Sequence, residues 1–190
     1  MFNFTRRDVL RNTACASLAL VAGANASFAK DMEKRAKIDA DADAAFASLI
    51  SDNDAARALS EKASAFLIFP KITEIGIAGI GAERGTGVLR QNGESLAYYH
   101  TTSASFGIEL GFATHGYVVM FMTREAAQDF ASKRTYEFGG EGQITVFKAG
   151  ATADANTTNL KTEVVAFVFD EKGAMINLTL EGTAITLADI

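Results

Sequence analysis

The sequence predicts an α+β fold: an antiparallel, strongly curled or barrel-like β-sheet with two N-terminal helices and one short inserted helix. Between residues 32 and 66, apolar side chains recur every three or four positions, which is the period of an amphipathic helix. After Pro70, which is the only proline, short apolar runs alternate with glycines and turn residues. About eight to ten short sequential strands with tight turns favour an antiparallel sheet that curls toward a barrel.

Two helices are expected before Pro70. The apolar residues of the first helix are Ile38, Ala42, Ala45, Phe46 and Leu49, and those of the second are Ala55, Ala56, Leu59, Ala63 and Phe66. Residues 51–54, with the sequence Ser-Asp-Asn-Asp, supply turn and N-cap chemistry between the two helices. Pro70 is predicted to end the second helix, because the residue before a proline is pushed out of the helical region.

The rest of the chain is predicted to form strands. Asn92-Gly93 readily takes the positive φ angles of a type I′ turn, which would pair residues 85–90 with residues 95–101. Thr123 is expected to cap the inserted helix at residues 125–132. Further strands are expected at residues 106–112, 117–122, 143–147, 162–169 and 174–180, with a turn at residues 170–173. Residues 164–169 are apolar on both faces, so this strand needs a cover on each side, which the two N-terminal helices would supply.

The composition is that of one compact globular domain. The chain has 190 residues, of which 48% are hydrophobic and 22% charged. The formal net charge of −5 offers no basic face to nucleic acid. Cysteine occurs once, at Cys15, so neither a disulfide framework nor a zinc finger is expected.

The first 29 residues have the pattern of a signal peptide. Arg6, Arg7 and Arg11 precede an uncharged stretch, and small residues then offer cleavage after Ala26 or Ala29. A transmembrane helix is the competing interpretation, but polar residues and glycine interrupt the stretch too often. The paired arginines resemble a twin-arginine motif, although ordinary secretory signals also contain such pairs. We therefore expect an exported, periplasmic protein whose residues 30–190 form one domain, and whose net charge changes from −5 to −7 on cleavage.

Catalytic and metal-binding motifs are not evident, and we expect no enzyme, no metal and no cofactor. His100 and His115 lie in no metal-binding motif. The glycines of residues 79–84 lack the spacing of a nucleotide-binding loop. One catalytic alternative stays open, because Ser103 or Ser105 could meet a histidine in space as a hydrolase site.

Two groups of residues are candidates for lipid contact. Lys30, Lys34 and Lys37, with Arg35 nearby, form a basic stripe on the first helix that could rest on anionic lipid. Alternatively these side chains are solvated while the apolar face packs on the sheet, and Asp39, Asp41 and Asp43 would oppose an anionic membrane. The second group is Phe66, Phe69 and Lys71, for whose rings packing in the core is the alternative.

The chain resembles the SYLF domain over about residues 35–187. The blocks that carry the resemblance, in family order, are residues 65–71 (AFLIFPK), Gly76 with Gly79 and Gly81, residues 85–89 (GTGVL), Tyr98-Tyr99, residues 103–111 (SASFGIELG), residues 121–123 (FMT), Gly173 and residues 180–183 (LEGT). The resemblance implies a non-enzymatic, lipid-associated protein whose leading helix, here the one with Lys30, Lys34, Arg35 and Lys37, contacts the membrane. Actin binding, known for eukaryotic members, is not expected of an exported bacterial protein.

Three functions follow as hypotheses. The leading one is a periplasmic module of the bacterial cell envelope that binds phospholipid or a membrane surface through an apolar groove or an amphipathic helix. The second is an envelope protein that binds another protein through its apolar surface. The third is the serine–histidine hydrolase. No nucleic-acid partner is expected.

Overall fold

The computed structural model describes residues 6–77, 79–108, 111–138, 144–148, 162–173, 180 and 182–190. The chain divides into two compact units, Met1–Lys37 with Ile190 and Ile38–Asp189. The three helices are α1 (Arg6–Asp52), α2 (Asp54–Ser60) and α3 (Arg124–Ser132). The eight strands are β1 (Ala65–Ile77), β2 (Gly79–Gln91), β3 (Glu94–Ile108), β4 (Gly111–Phe121), β5 (Thr135–Glu137), β6 (Ile144–Lys148), β7 (Val164–Gly173) and β8 (Ala184–Leu187).

The eight strands form one sheet in the order β5-β8-β3-β2-β1-β4-β7-β6. Every neighbouring pair is antiparallel except β6 and β7, which are parallel. The sheet is curled into a half-barrel, which confirms the predicted α+β fold with a curled sheet. The sheet is not a closed barrel, because among the described strands β5 and β6 end the sheet and do not pair with each other.

The second helix is shorter than predicted. It ends at Ser60, and the residues from Ala65 onward, including Phe66, belong to β1. Pro70 does not end a helix but lies inside this strand, where the register shifts relative to both neighbouring strands. A proline is tolerated in a sheet at such a bulge, because the ladder hydrogen bonds are interrupted there in any case.

Several local predictions are confirmed. Asn92 and Gly93 have φ angles of 53° and 82°, as a type I′ turn requires, and Arg90 pairs with Ser95 across the hairpin. The Thr123 side chain accepts a hydrogen bond from the backbone N–H of Ala126 at the start of α3. In the same way Asn53 caps α2.

The predicted turn at residues 170–173 is wrong. These residues continue β7, where Lys172 and Gly173 pair with Thr114 and Ala113 of β4. Polar residues there predicted a turn, but pairing with the long β4 satisfies their backbone groups and keeps them extended. The strand predicted at residues 174–180 falls, except for Leu180, outside the described residues.

The sheet carries an apolar core on each face. One core contains Ala42 and Leu49 of α1 and Ala56 and Leu59 of α2, packed on side chains of the central strands. The opposite core contains Ala127 and Phe130 of α3, together with Tyr136, Phe138, Leu180 and Ile185. Residues 164–169 are buried on both faces, as predicted, but the N-terminal helices cover only one of them and α3 with its flanking segments covers the other.

Candidate functional site

The basic residues predicted on the leading helix are all exposed. Lys30, Lys34 and Lys37 lie on α1 before Ile38, in the smaller of the two units. Met32 is 56% exposed in the same segment. At 3.6 residues per turn, Met32 points roughly half a turn away from the three lysines, so the exposed methionine and the lysines lie on different sides of the segment. Such a division is typical of helices that lie in a membrane interface.

Arg35 differs from the three lysines. Its Nε donates a hydrogen bond to the Ile190 carbonyl oxygen at 2.7 Å, within the same unit. The guanidinium is therefore engaged by the C-terminal residue, although the side chain is exposed.

The second predicted group is not one cluster. Phe69 is fully buried, with its ring centroid 4.8 Å from that of Tyr117 in the core under α3. Phe66 is half-buried on the opposite face of β1 and packs edge-on against Phe46 of α1, at 4.9 Å between ring centroids. Lys71 alone is exposed. Both rings thus pack in the apolar cores, which was the alternative to lipid contact. Lys71 is the member of the group that faces solvent.

The apolar side of α1 from Ile38 onward is occupied by packing. Ala42 and Leu49 are buried, and Ile38, Ala45 and Phe46 pack around them. Asp39, which was expected to oppose a membrane, instead accepts hydrogen bonds from Ser95 Oγ at 2.8 Å and Tyr98 Oη at 2.9 Å. Arg90 Nη2 lies 3.4 Å from Asp39 Oδ1 and 2.9 Å from Asp43 Oδ1. Two of the three aspartates therefore fasten the helix to the β2–β3 hairpin.

Sequence reasoning missed a group of buried polar residues, which we call the Glu83 cluster. Its members are Glu74, Glu83, Thr101, Ser103, His115 and Tyr117. Thr101 and Ser103 donate hydrogen bonds to the two oxygens of Glu83, at 3.4 and 3.3 Å. Tyr117 donates to Thr101 at 2.8 Å, and His115 Nε2 lies 3.8 Å from Glu83 Oε2.

The Glu83 carboxyl is strongly perturbed by its surroundings. It is 7% exposed, and its pKa is raised to about 7, first by burial and then by the negative charge of Glu74. The hydrogen bonds from Ser103 and Thr101 act in the opposite direction and lower the pKa. Burial also raises the pKa of Tyr117 well above its usual value, so this phenol stays protonated and continues to donate. Each residue looks ordinary in the sequence, and only the pairing of the strands brings them together.

The geometry of the cluster bears on the hydrolase hypothesis. A serine nucleophile needs a histidine that accepts its proton, with a carboxylate behind the histidine. Here the Glu83 carboxylate lies between Ser103 and His115, and the serine donates to the carboxylate itself. His100 makes its contact with Thr86, at 3.0 Å between Nδ1 and Oγ1. Ser103 is therefore held as a hydrogen-bond donor to Glu83. The order of the three groups is serine, carboxylate, histidine, which differs from the order serine, histidine, carboxylate of a catalytic triad.

Among the described residues, no group of three or more His, Cys, Asp or Glu residues is arranged to hold a metal ion. No helix among them has the length and apolar character needed to cross a membrane.

No curated protein matches the chain significantly. The family model Ysc84, described as Las17-binding protein actin regulator, matches residues 102–189, from the middle of β3 to just beyond β8. The Ysc84 family, also called SYLF, is a binding-type family associated with lipid binding and with actin-regulator interactions. Over residues 102–189 the chain is therefore similar to the Ysc84 (SYLF) family, in agreement with the part of the resemblance that falls within this range.

Proposed function

We propose that the protein is a non-enzymatic lipid-binding protein of the bacterial cell envelope, which associates with phospholipid membranes from the periplasm. The observation that carries this proposal is the exposure of Lys30, Lys34 and Lys37 on α1, with Met32 exposed on another side of the same segment. The family association with lipid supports it. The predicted signal peptide supports the location.

The two parts of α1, before and after Ile38, differ in what they can offer to lipid. Beyond Ile38 the apolar side of the helix packs on the sheet, so it offers no apolar surface to a bilayer. Before Ile38 the basic side chains face solvent. Because the whole chain carries a net charge of −5, bulk attraction to anionic lipid is absent and local contacts must supply the affinity. Each basic residue near an anionic surface contributes about 1 kcal/mol.

Vesicle flotation with the protein lacking residues 1–29 tests the proposal. We expect association with vesicles of phosphatidylcholine and phosphatidylglycerol, and weaker association with phosphatidylcholine alone. In the variant Lys34→Gln/Lys37→Gln, affinity for the anionic vesicles should fall by a factor of about 25, since two cations are lost at about 1 kcal/mol each.

The matched control is Lys62→Gln/Arg124→Gln, which removes the same charge from exposed positions elsewhere on the molecule. This variant should bind as the unchanged protein does. Absence of binding to either kind of vesicle would contradict the proposed function. Equal losses in the two double variants would show that total charge, and not the leading helix, sets the affinity.

The family description favours a second candidate, an interaction with another protein, because it names a protein partner for the family. Crosslinking in cells separates this candidate from the first. A single dominant protein adduct, combined with purified protein that carries no lipid by native mass spectrometry, would favour the protein partner.

A further inference from the structure

The far end of the sheet carries an exposed apolar row on the face opposite the Glu83 cluster. Ile75 of β1 and Phe112 of β4 are direct cross-strand partners and are 48% and 60% exposed. On the other side of Ile75, its partner in β2 is Ala82, which is also exposed. The three side chains form a continuous apolar row across three strands, because directly opposed residues on one face lie within contact distance.

The bulge at Pro70 explains why this row faces outward. Leu67 and Phe69, before the bulge, belong to the core under α3, and so does Ile72 after it. The inward positions therefore change from odd to even numbers within β1. As a result Glu74 points inward and is buried, whereas Ile75 points outward.

The charges beside the apolar row are positive. Arg84 is exposed one row away, opposite Thr73, and Lys71 is exposed at the bulge. The acidic residues of these two strand segments, Glu74 and Glu83, are buried on the opposite face. Among the described side chains of β1, β2 and β4 in this region, the outward-facing charges are thus both cationic. We call Lys71, Ile75, Ala82, Arg84 and Phe112 the tip surface.

We propose that the tip surface is a second membrane-contact surface, which docks on a bilayer containing anionic lipid. This inference rests on the proposed function. It adds a contact in the unit Ile38–Asp189 to the one proposed for the leading helix. Phe112 and Ile75 enter the boundary between headgroups and acyl chains, while Lys71 and Arg84 bind lipid phosphates. A second copy of the chain is a poorer occupant, since a symmetric contact would bring the same cations face to face.

The absence of tryptophan from the sequence makes a direct test possible. In Phe112→Trp the single indole should shift its emission to the blue on anionic vesicles and be quenched by brominated acyl chains. Leu96→Trp is the matched control, because Leu96 is 52% exposed near the start of β3, beside the Asn92-Gly93 turn at the opposite end of the β2–β3 pair. Its emission should change little. Equal responses from the two tryptophans, or no response from Trp at position 112, would overturn the tip surface as the point of contact.

Affinity measurements add a second readout. Arg84→Gln and Lys71→Gln should each weaken binding to phosphatidylglycerol-containing vesicles about fivefold. Ile75→Ser/Phe112→Ser should weaken binding to neutral and anionic vesicles alike by at least about tenfold. Lys62→Gln serves as the charge control, and unchanged thermal unfolding shows that the surface variants keep the fold.

The outcomes separate the two proposals. If the unchanged protein fails to bind any vesicle, the proposed function fails and this inference fails with it. If it binds and the tip-surface variants bind equally well, only the inference fails. If Ile75→Ser/Phe112→Ser abolishes self-association in sedimentation but leaves vesicle binding intact, the surface joins two copies of the chain and the inference is overturned.

Discussion

At the scale of single residues, the most unusual environment belongs to Glu83. Its carboxyl is buried, receives hydrogen bonds from Thr101 and Ser103, and faces both Glu74 and His115. A carboxyl group of this kind costs free energy when it is charged, because burial removes water that would solvate the charge. The folded protein therefore holds a proton on Glu83 that the unfolded chain releases at lower pH.

The stability of the protein should reflect this proton. The pKa of Glu83 is near 4.5 when unperturbed and about 7 in the fold, so its contribution is fully present below pH 4.5 and is lost as the pH rises through 7. Between pH 5 and 8 the free energy of unfolding should fall by up to about 3 kcal/mol. Urea unfolding at several pH values measures this loss.

The variant Glu83→Gln isolates the effect of this one carboxyl, since Glu74 and His115 remain in place. Its free energy of unfolding should depend much less on pH over the same range. Glu94→Gln, at an exposed hairpin position, is the control and should keep the profile of the unchanged protein. A profile in Glu83→Gln as steep as that of the unchanged protein would mean that another group carries the dependence.

At the scale of secondary-structure elements, α1 is attached to the sheet by apolar packing and by hydrogen bonds and ion pairs. Asp39 receives hydrogen bonds from Ser95 and Tyr98 and lies beside Arg90, and its side chain is 29% exposed. Asp43 makes the shorter contact with Arg90, at 2.9 Å, but is 66% exposed. Exposed ion pairs contribute little to stability, whereas partly buried hydrogen bonds to a charge contribute more.

We therefore expect Asp39→Ala to destabilise the protein by about 2 kcal/mol. Asp43→Ala should cost less than about 1 kcal/mol, despite the shorter distance to Arg90. Thermal or urea unfolding of both variants provides the comparison. A larger loss in Asp43→Ala would show that the Arg90 ion pair, and not the hydrogen-bond set around Asp39, fastens the helix.

The bulge in β1 shows how one local irregularity decides the chemistry of two surfaces. Before Pro70 the odd-numbered residues of this strand face the core under α3, and after it the even-numbered residues do. Close backbone packing accompanies the bulge: a Cβ atom at Gly116 would lie 2.9 Å from the Pro70 carbonyl oxygen and 2.5 Å from Phe169 Cε2. The same shift that buries Glu74 near Glu83 exposes Ile75 on the tip surface.

At the scale of the whole molecule, the proposed function requires that the chain reach the periplasm. If Arg6 and Arg7 belong to a twin-arginine signal, the double change Arg6→Lys/Arg7→Lys should leave the protein in the cytoplasm with residues 1–29 attached. Fractionation of cells followed by intact-mass analysis measures both location and cleavage. Unimpaired export of the variant would point to an ordinary secretory signal, and cytoplasmic retention of the unchanged protein would contradict export altogether.

Sequence patterns were sufficient wherever the determinant is local. The type I′ turn at Asn92-Gly93 needs only two residues that tolerate positive φ, and the α3 cap needs only the hydroxyl of Thr123. The helical period of α1 and the two-sided apolar character of residues 164–169 likewise follow from side chains near one another in the chain. The family blocks could be recognised for the same reason, and the match over residues 102–189 agrees with those blocks that lie within it.

Tertiary structure decided the features that depend on which strands become neighbours. Pro70 suggested the end of a helix, because its effect on the preceding residue is local, but pairing on both sides of β1 made it a bulge. Glu83, Ser103 and His115 lie on three different strands, so no spacing in the chain could reveal their meeting. The sequence by itself thus determined the class of fold and the resemblance to the SYLF family. Cross-strand register determined which carboxyl is buried and which apolar side chains meet solvent, since a shift of one residue exchanges the two faces of a strand.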